Sequence, residues 1–196
     1  MSTAIVKYNA GNNFSVLCAL HRLGCNPIVT DDPALIRKAD KIIFPGVGEA
    51  STAMAYLRSH GLDRLIKDLT QPVLGICIGQ QLLCSHSMEG DTDCIGVFDT
   101  PVLRFDATGR DERIPHMGWN TISNIPGSFL PTDVDGQYVY YVHSYYVPVN
   151  EWTAATTDYI VPFSAAMHRD NYYATQFHPE KSGDIGSLIL KAFLEL

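Results

Sequence analysis

The 196-residue sequence predicts an α/β fold: a mostly parallel central sheet with helices on both faces and added antiparallel strands. Two features carry this. Short apolar runs alternate with helix-periodic stretches through the first half, the pattern of βαβ units and a parallel sheet. Past Gly96 the texture changes to β-rich runs such as PVLRF, QYVYYV and YYATQF, separated by Pro, Gly, Asn and Asp.

Ala4 to Tyr8 reads as the first strand. Asn12 or Asn13 can cap the following helix, in which Val16, Leu17, Leu20 and Leu23 share a face and which Gly24 ends. Pro27 to Thr30 and Lys41 to Phe44 are the next strands. After the loop Pro45-Gly46-Val47-Gly48-Glu49 comes a helix with Ala50, Ala53, Met54 and Leu57 on one side. Val73 to Ile76 is a fourth strand, which runs into Cys77 and a helix carrying Leu82 and Leu83. A closing helix carries Ile185, Leu188, Ile189, Ala192 and Phe193 in one stripe. With no internal repeat, low-complexity stretch or linker, one domain over 1–196 is expected.

Composition narrows the function. Hydrophobic residues at 46% and charged residues at 18% make an ordinary globular balance. The net charge of −7 and the absence of a basic cluster argue against a nucleic-acid partner. No apolar run approaches the roughly 20 residues of a membrane span, and the opening MSTAIVKYNAGNN lacks the charged and apolar regions of a signal peptide. Five cysteines, Cys18, Cys25, Cys77, Cys84 and Cys94, show no CxxC pairing. That argues against a disulfide framework and a zinc knuckle, so no metal is expected, and free thiols point to the cytoplasm.

Cys77 stands apart. It lies between Gly75-Ile76 and Ile78-Gly79, where an apolar strand turns into a helix. Glycines on both sides permit a sharp bend, as at the nucleophile elbow of hydrolases. First-turn N–H groups favour negative charge there, and the Ile78 N–H is placed for an oxyanion. A buried cysteine at a strand–helix corner fits the same segment equally well. His178-Pro179-Glu180 decides between them. The residue before proline is held extended, and residues two apart in an extended segment share a side, so Glu180 is expected beside His178. A carboxylate there fixes the imidazole's tautomer and stabilises its charged form. Both segments follow strand carboxyl ends, where open α/β sheets place their sites. Gly46-Val47-Gly48 nearly opens a GxGxxG dinucleotide motif, but after the third strand, with Ser51 in the last place and no acidic partner. It reads instead as a tight turn or as an oxyanion N–H donor.

Together these segments resemble the class I glutamine amidotransferases. The family elbow Gly-x-Cys-x-Gly-x-Gln is matched by Gly75 to Gln81, and its His-x-Glu by His178 to Glu180. Within the family the likeness is to glutaminase subunits of imidazole glycerol phosphate synthases, through PGVGE (45–49), PHMGWN (115–120), VHSYYV (142–147) and QFHPEKSG (176–183). The opening departs from the expected IDYGxGN, with Lys7 for the acid and Asn9 for the first glycine.

The resemblance implies a flavodoxin-like core and a triad of Cys77, His178 and Glu180 acting on L-glutamine without any cofactor. It implies that Gln81 and the backbone at His143-Ser144-Tyr145 hold the substrate's α-groups, and that Val47 and Ile78 supply oxyanion N–H groups. It further implies a heterodimer with a (β/α)-barrel cyclase that receives the ammonia, docked through Asn12, Met117, Trp119 and Lys181. Trp119 suits an ordinary core as well. Three rival readings stand beside this one. An amidotransferase serving pyridoxal phosphate or anthranilate synthesis would lack PHMGWN and VHSYYV. A silent binding module would have lost a triad residue. A freestanding γ-glutamyl hydrolase would need no docking face.

Overall fold

The computed structural model describes residues 2–9 and 12–196, so Ala10 and Gly11 of the opening segment lie outside the described residues. In chain order the strands are β1 (Thr3–Val6), β2 (Ile28–Thr30), β3 (Lys41–Phe44), β4 (Val73–Ile76), β5 (Cys84–Ser87), β6 (Thr92–Asp93) and β7 (Phe98–Arg104). They continue as β8 (His116–Thr121), β9 (Ser123–Asn124), β10 (Tyr138–His143), β11 (Tyr145–Tyr146), β12 (Thr153–Asp158), β13 (Pro162–Arg169) and β14 (Tyr172–Thr175). The helices are α1 (Asn13–Arg22), α2 (Pro33–Lys38), α3 (Ala50–Ser59), α4 (Leu62–Lys67), α5 (Ile78–Leu82) and α6 (Gly183–Leu194).

Among the described residues the main sheet has eight strands in the order β2-β1-β3-β4-β14-β13-β12-β9. Pairing is parallel from β2 to β14 and antiparallel beyond it. The parallel strands are apolar on both faces because each face is covered. Ala4, Val6, Ile42, Phe44 and Val73 pack with α3, α4 and Ile36 of α2. Ile5, Ile43, Leu74 and Ile76 pack with Val16 and Leu20 of α1 and Leu190 and Phe193 of α6. A third cluster, including Tyr141, Phe163 and Phe177, fills the antiparallel end.

Two helices go beyond the sequence reading. α2 starts at Pro33 and is capped by Asp32, whose side chain accepts the Ala34 N–H at 2.8 Å. It and α4 have six residues each, under two turns, too short to show an apolar stripe. β1 ends at Val6 rather than Tyr8. The two departures in the opening segment are accommodated: Lys7 is exposed, and the Asn9 amide donates to the Thr52 carbonyl at 3.2 Å.

β4 lies between β3 and β14. Gly46-Val47-Gly48, Cys77 and His178 therefore leave the carboxyl ends of three adjacent strands.

Candidate active site

The bend at Cys77 is held against backbone preference. Cys77 has φ +55° and ψ −107°, a region L residues rarely occupy and one that costs roughly 1–3 kcal/mol. Its N–H donates to the Thr175 carbonyl of β14 at 2.8 Å. A Cβ at Gly79 would collide with the Phe44 carbonyl oxygen, and one at Gly75 would lie 2.9 Å from the Gly79 backbone. The flanking glycines thus let β3, β4 and α5 meet. α5 has only five residues, so it offers free first-turn N–H groups rather than a long dipole. Ile78 is its first residue, and its N–H has no intrahelical acceptor.

His178 is extended (φ −98°, ψ 94°), and its N–H donates to the Tyr140 carbonyl at 2.9 Å. Glu180 reaches it by a different route from the expected pleat. Pro179, whose ring presets a helical φ, starts a 3-10 turn over Pro179–Lys181 that brings the carboxylate back. His178 Nδ1 lies 2.8 Å from Glu180 Oε1, and both side chains are wholly buried. Asn12 Nδ2 donates to the same oxygen at 2.5 Å. That explains why Asn12, at the N-cap position of α1, makes no side-chain cap. His178 Nε2 is buried without a partner among the described residues. Burial opposes a charged ring, but the adjacent Cys77 sulfur and the Glu180 carboxylate outweigh it and raise His178 to about 10.

Cys77 opens onto a cavity of about 290 Å³ lined by Val47, Gly48, Ile78, Gln81, Glu89, Pro115, Val142, His143, Ser144 and Tyr145. Of the expected substrate and oxyanion residues, Gly46 alone is outside this lining. It sits behind the loop, where a Cβ would strike the Tyr8 hydroxyl and Ile78. Met117, Trp119 and Lys181 do not line it. They are exposed, Met117 by 67% and Trp119 by 56%, with the Lys181 ammonium over the Tyr140 ring at 5.8 Å. Asn12 belongs with Glu180. Trp119 is therefore a surface residue, and of the two readings the sequence left for it, core is the one that fails.

The chain has counterparts among known proteins. A family model described as glutamine amidotransferase class-I matches residues 5–195. The chain belongs to the class I glutamine amidotransferases. It is 58% identical over the whole of both chains to the imidazole glycerol phosphate synthase subunit HisH of Bacteroides fragilis strain YCH46. Its identity to the same-named protein of Idiomarina loihiensis is 44%, over all of this chain and 98% of that one. Among solved structures, one titled as a glutamine amidotransferase superposes with a TM-score of 0.76 at 19% identity, covering 98% of this chain and 97% of that one. PurLQS from Thermotoga maritima superposes with a TM-score of 0.73 at 15% identity, covering 99% and 97%. At such identities these structures share the fold.

Two residues of this amidotransferase's site escaped the sequence reading. Glu89 lines the cavity and accepts the Ala50 N–H at 2.8 Å, which fixes it at the start of α3. Burial raises its carboxyl above the usual range, the Ala50 bond lowers it, and Glu49 raises it again. Gln176, wholly buried, places Nε2 3.8 Å from the Cys77 sulfur. Glu89 is one acid in a polar turn, and Gln176, although it opens the QFHPEKSG segment just after β14, has nothing beside it in the sequence that turns its amide towards Cys77.

The amidotransferase also buries a histidine pair beside the cavity. His143 Nδ1 lies 2.8 Å from the Tyr145 carbonyl, and its Nε2 lies 3.0 Å from His116 Nδ1. Burial lowers His143 to about 3, although the Tyr145 carbonyl favours its charged form. Burial lowers His116 to about 4. An unfolded histidine takes up its proton near pH 6.5, so between there and about pH 4 the unfolded chain binds protons that the fold refuses. The stability these two contribute is fully present above pH 6.5 and is lost as pH falls through that window. His178 is shifted the other way. Its contribution is present below pH 6.5 and lost as pH rises towards 10, so it does not offset the acid loss. Denaturant titrations should lose on the order of 5 kcal/mol between pH 6.5 and 4, about half from each histidine. Constant stability across that range would mean that the pair is protonated in the fold.

Proposed function

We propose that Cys77, His178 and Glu180 hydrolyse L-glutamine to glutamate and ammonia, and that the chain is the glutaminase subunit of an imidazole glycerol phosphate synthase. The observation that carries the catalytic reading is the buried His178–Glu180 pair beside a strained Cys77 at the floor of a cavity sized for an amino acid. Full-length identity of 44–58% to HisH subunits supports the pathway.

The Cys77 thiolate attacks the amide carbon of glutamine. The oxyanion takes hydrogen bonds from the Ile78 and Val47 N–H groups. His178, charged and held by Glu180, protonates the leaving ammonia. Then neutral, it takes a proton from water as water attacks the thioester, and glutamate leaves with the thiolate restored. Gln81 and Glu89 receive the substrate's α-ammonium, and the backbone at His143-Ser144-Tyr145 receives its carboxylate. No step requires a metal or organic cofactor.

The ammonia passes to a (β/α)-barrel cyclase that forms imidazole glycerol phosphate and aminoimidazole carboxamide ribonucleotide. Support for this partner comes from the outer face of β8 and β10. Met117 pairs with Val142 and Trp119 with Tyr140, so the strand that lines the cavity through Val142 also presents this surface. Exposed Tyr138, on the same side of β10 as Tyr140, adds apolar area, and exposed aromatics of this kind are typical interface anchors. Lys181 stands over Tyr140 as the charged member.

A glutamine-analogue electrophile followed by peptide mapping tests the catalytic reading. Cys77 should carry the label, since Cys84 and Cys94 are pushed up by burial, Cys94 to about 12, and Cys18 and Cys25 lie away from the cavity. Predominant labelling of another cysteine would overturn the assignment. Trp119→Ala should weaken pairing with the cyclase by on the order of 2 kcal/mol, read by calorimetric titration. Unchanged affinity would remove β8 from the interface.

A further inference from the structure

We propose that Gln176 is a positioning residue of this site: its side-chain amide donates to the Cys77 thiolate and fixes which atom of Gln81 faces the substrate. The inference rests on the glutaminase reading above.

Donor and acceptor accounting carries it. The Tyr145 carbonyl can only accept, and Gln81 Nε2 lies 3.0 Å from it. The amide orientation of Gln81 is therefore set. Its second N–H donates to Gln176 Oε1 at 2.9 Å. With its oxygen committed, Gln176 turns Nε2 to the sulfur, 3.8 Å away.

The other side of the carbonyl agrees. His143 Nδ1 also donates to Tyr145, so its Nε2 accepts from His116 Nδ1. His116 Nε2 then accepts from Asn120 Nδ2 at 3.4 Å. Asn120 Nδ2 donates to the Asp158 carbonyl at 2.9 Å, which independently orients that amide. From Asn120 to Cys77 one assignment satisfies each contact, and it requires both imidazoles to be neutral, as burial makes them.

The two states of the sulfur have separate partners. As a thiol it donates to the Val142 carbonyl at 3.9 Å. As a thiolate it accepts, and Gln176 offers a neutral N–H that does not titrate. Among the described residues, the titratable groups next to the sulfur are His178 from the segment after β14, with Glu180 behind it, and Tyr8 after β1, while His143, Tyr145 and Glu89 line the same cavity. Among these, Gln176 is a donor whose strength is constant with pH. Gln81, with both N–H groups used, has only Oε1 left for the cavity, an acceptor suited to an α-ammonium and not to a carboxylate.

Two variants of the full chain separate the two roles. Gln176→Glu keeps an acceptor for Gln81 but places an anion where the donor was. Gln176→Met keeps the length and removes both bonds. Each is followed by the pH profile of Cys77 alkylation with iodoacetamide, and by glutaminase kcat and KM in the cyclase complex. In Gln176→Met the alkylation midpoint should rise by about one pH unit, as expected for losing a hydrogen bond to a charged group, with KM raised and kcat lowered. In Gln176→Glu the midpoint should rise at least as far, with KM within about threefold of wild type and kcat down about tenfold or more.

Alkylation midpoints indistinguishable from wild type overturn the donor role, whether or not KM moves. A raised KM in Gln176→Glu equal to that in Gln176→Met overturns the anchoring of Gln81. Should buried charge prevent Gln176→Glu from folding, Gln176→Met still decides the donor role. If wild-type Cys77 is not the alkylated residue, the glutaminase reading fails first, so the two failures are distinguishable.

Discussion

Glu180→Gln should lower glutaminase kcat by about 10³–10⁴-fold while leaving KM within about threefold of wild type. The reason lies in where the carboxylate is. Glu180 is wholly buried, is absent from the cavity lining, and meets His178 at 2.8 Å. It acts on the imidazole and not on glutamine. When the ring takes charge beside the Cys77 thiolate, Glu180 is its counter-charge. The glutamine isostere retains the shape and loses that charge. It also places an N–H₂ among groups that already donate, since His178 Nδ1 and Asn12 Nδ2 both point at Oε1. Asn12→Ala removes one of those two donors and leaves the charge, so its loss should be about tenfold. Steady-state kinetics of both variants in the cyclase complex check the pair. Loss of glutamine affinity in step with turnover would make Glu180 a substrate ligand, and equal losses in both variants would mean that orientation matters more than charge.

Much of this was written locally. Lys41 to Phe44 and Val73 to Ile76 are strands because an unbroken apolar run covered on both sides has few other uses, and the structure has them at those bounds. Gly75 and Gly79 around Cys77 marked the elbow because a Cβ at either would meet backbone. Other parts depend on contacts far apart in sequence. His116 meets His143 because β8 and β10 pair in register, and nothing near either histidine announces the other. The alternation of β8 could have settled Trp119. With His116 turned inward, Met117 and Trp119 turn out, as their exposure shows. Gln176 and Glu89 gain their places only once β4, β14 and the β5–β6 turn are assembled. Glu180 was placed beside His178 by the wrong local geometry, a pleat instead of a proline-started 3-10 turn, because both conformations bring residues two apart within reach.

The isolated chain should hydrolyse glutamine about 10²–10³-fold more slowly than the same chain bound to a cyclase loaded with its nucleotide substrate. Free ammonia is lost to a coupled synthase, so idleness until the acceptor is bound is useful to the complex. The physical handle is the loop after β3. Gly48 has φ +129° with open space around it, whereas Gly46 is packed against Tyr8 and Ile78, so the loop can turn the Val47 backbone most cheaply from its Gly48 end. Ile78 is fixed by the elbow, which leaves Val47 as the movable one of the two proposed oxyanion donors, and one such donor would account for a factor of the size expected. Lys181 stands one residue from Glu180, Asn12 bonds it directly, and the β8–β10 face continues into the cavity wall at Val142, so a partner seated there touches the elements around the loop. It can activate only by binding the turned-in loop better than the turned-out one. The assay has three arms: chain alone, chain with cyclase, and chain with cyclase and its nucleotide. A stepwise rise, greatest in the third arm, is the expected result. Equal rates in all three would leave Cys77, His178 and Glu180 as a glutaminase triad but make the chain a freestanding hydrolase, with the apolar face of β8 and β10 serving something other than catalysis.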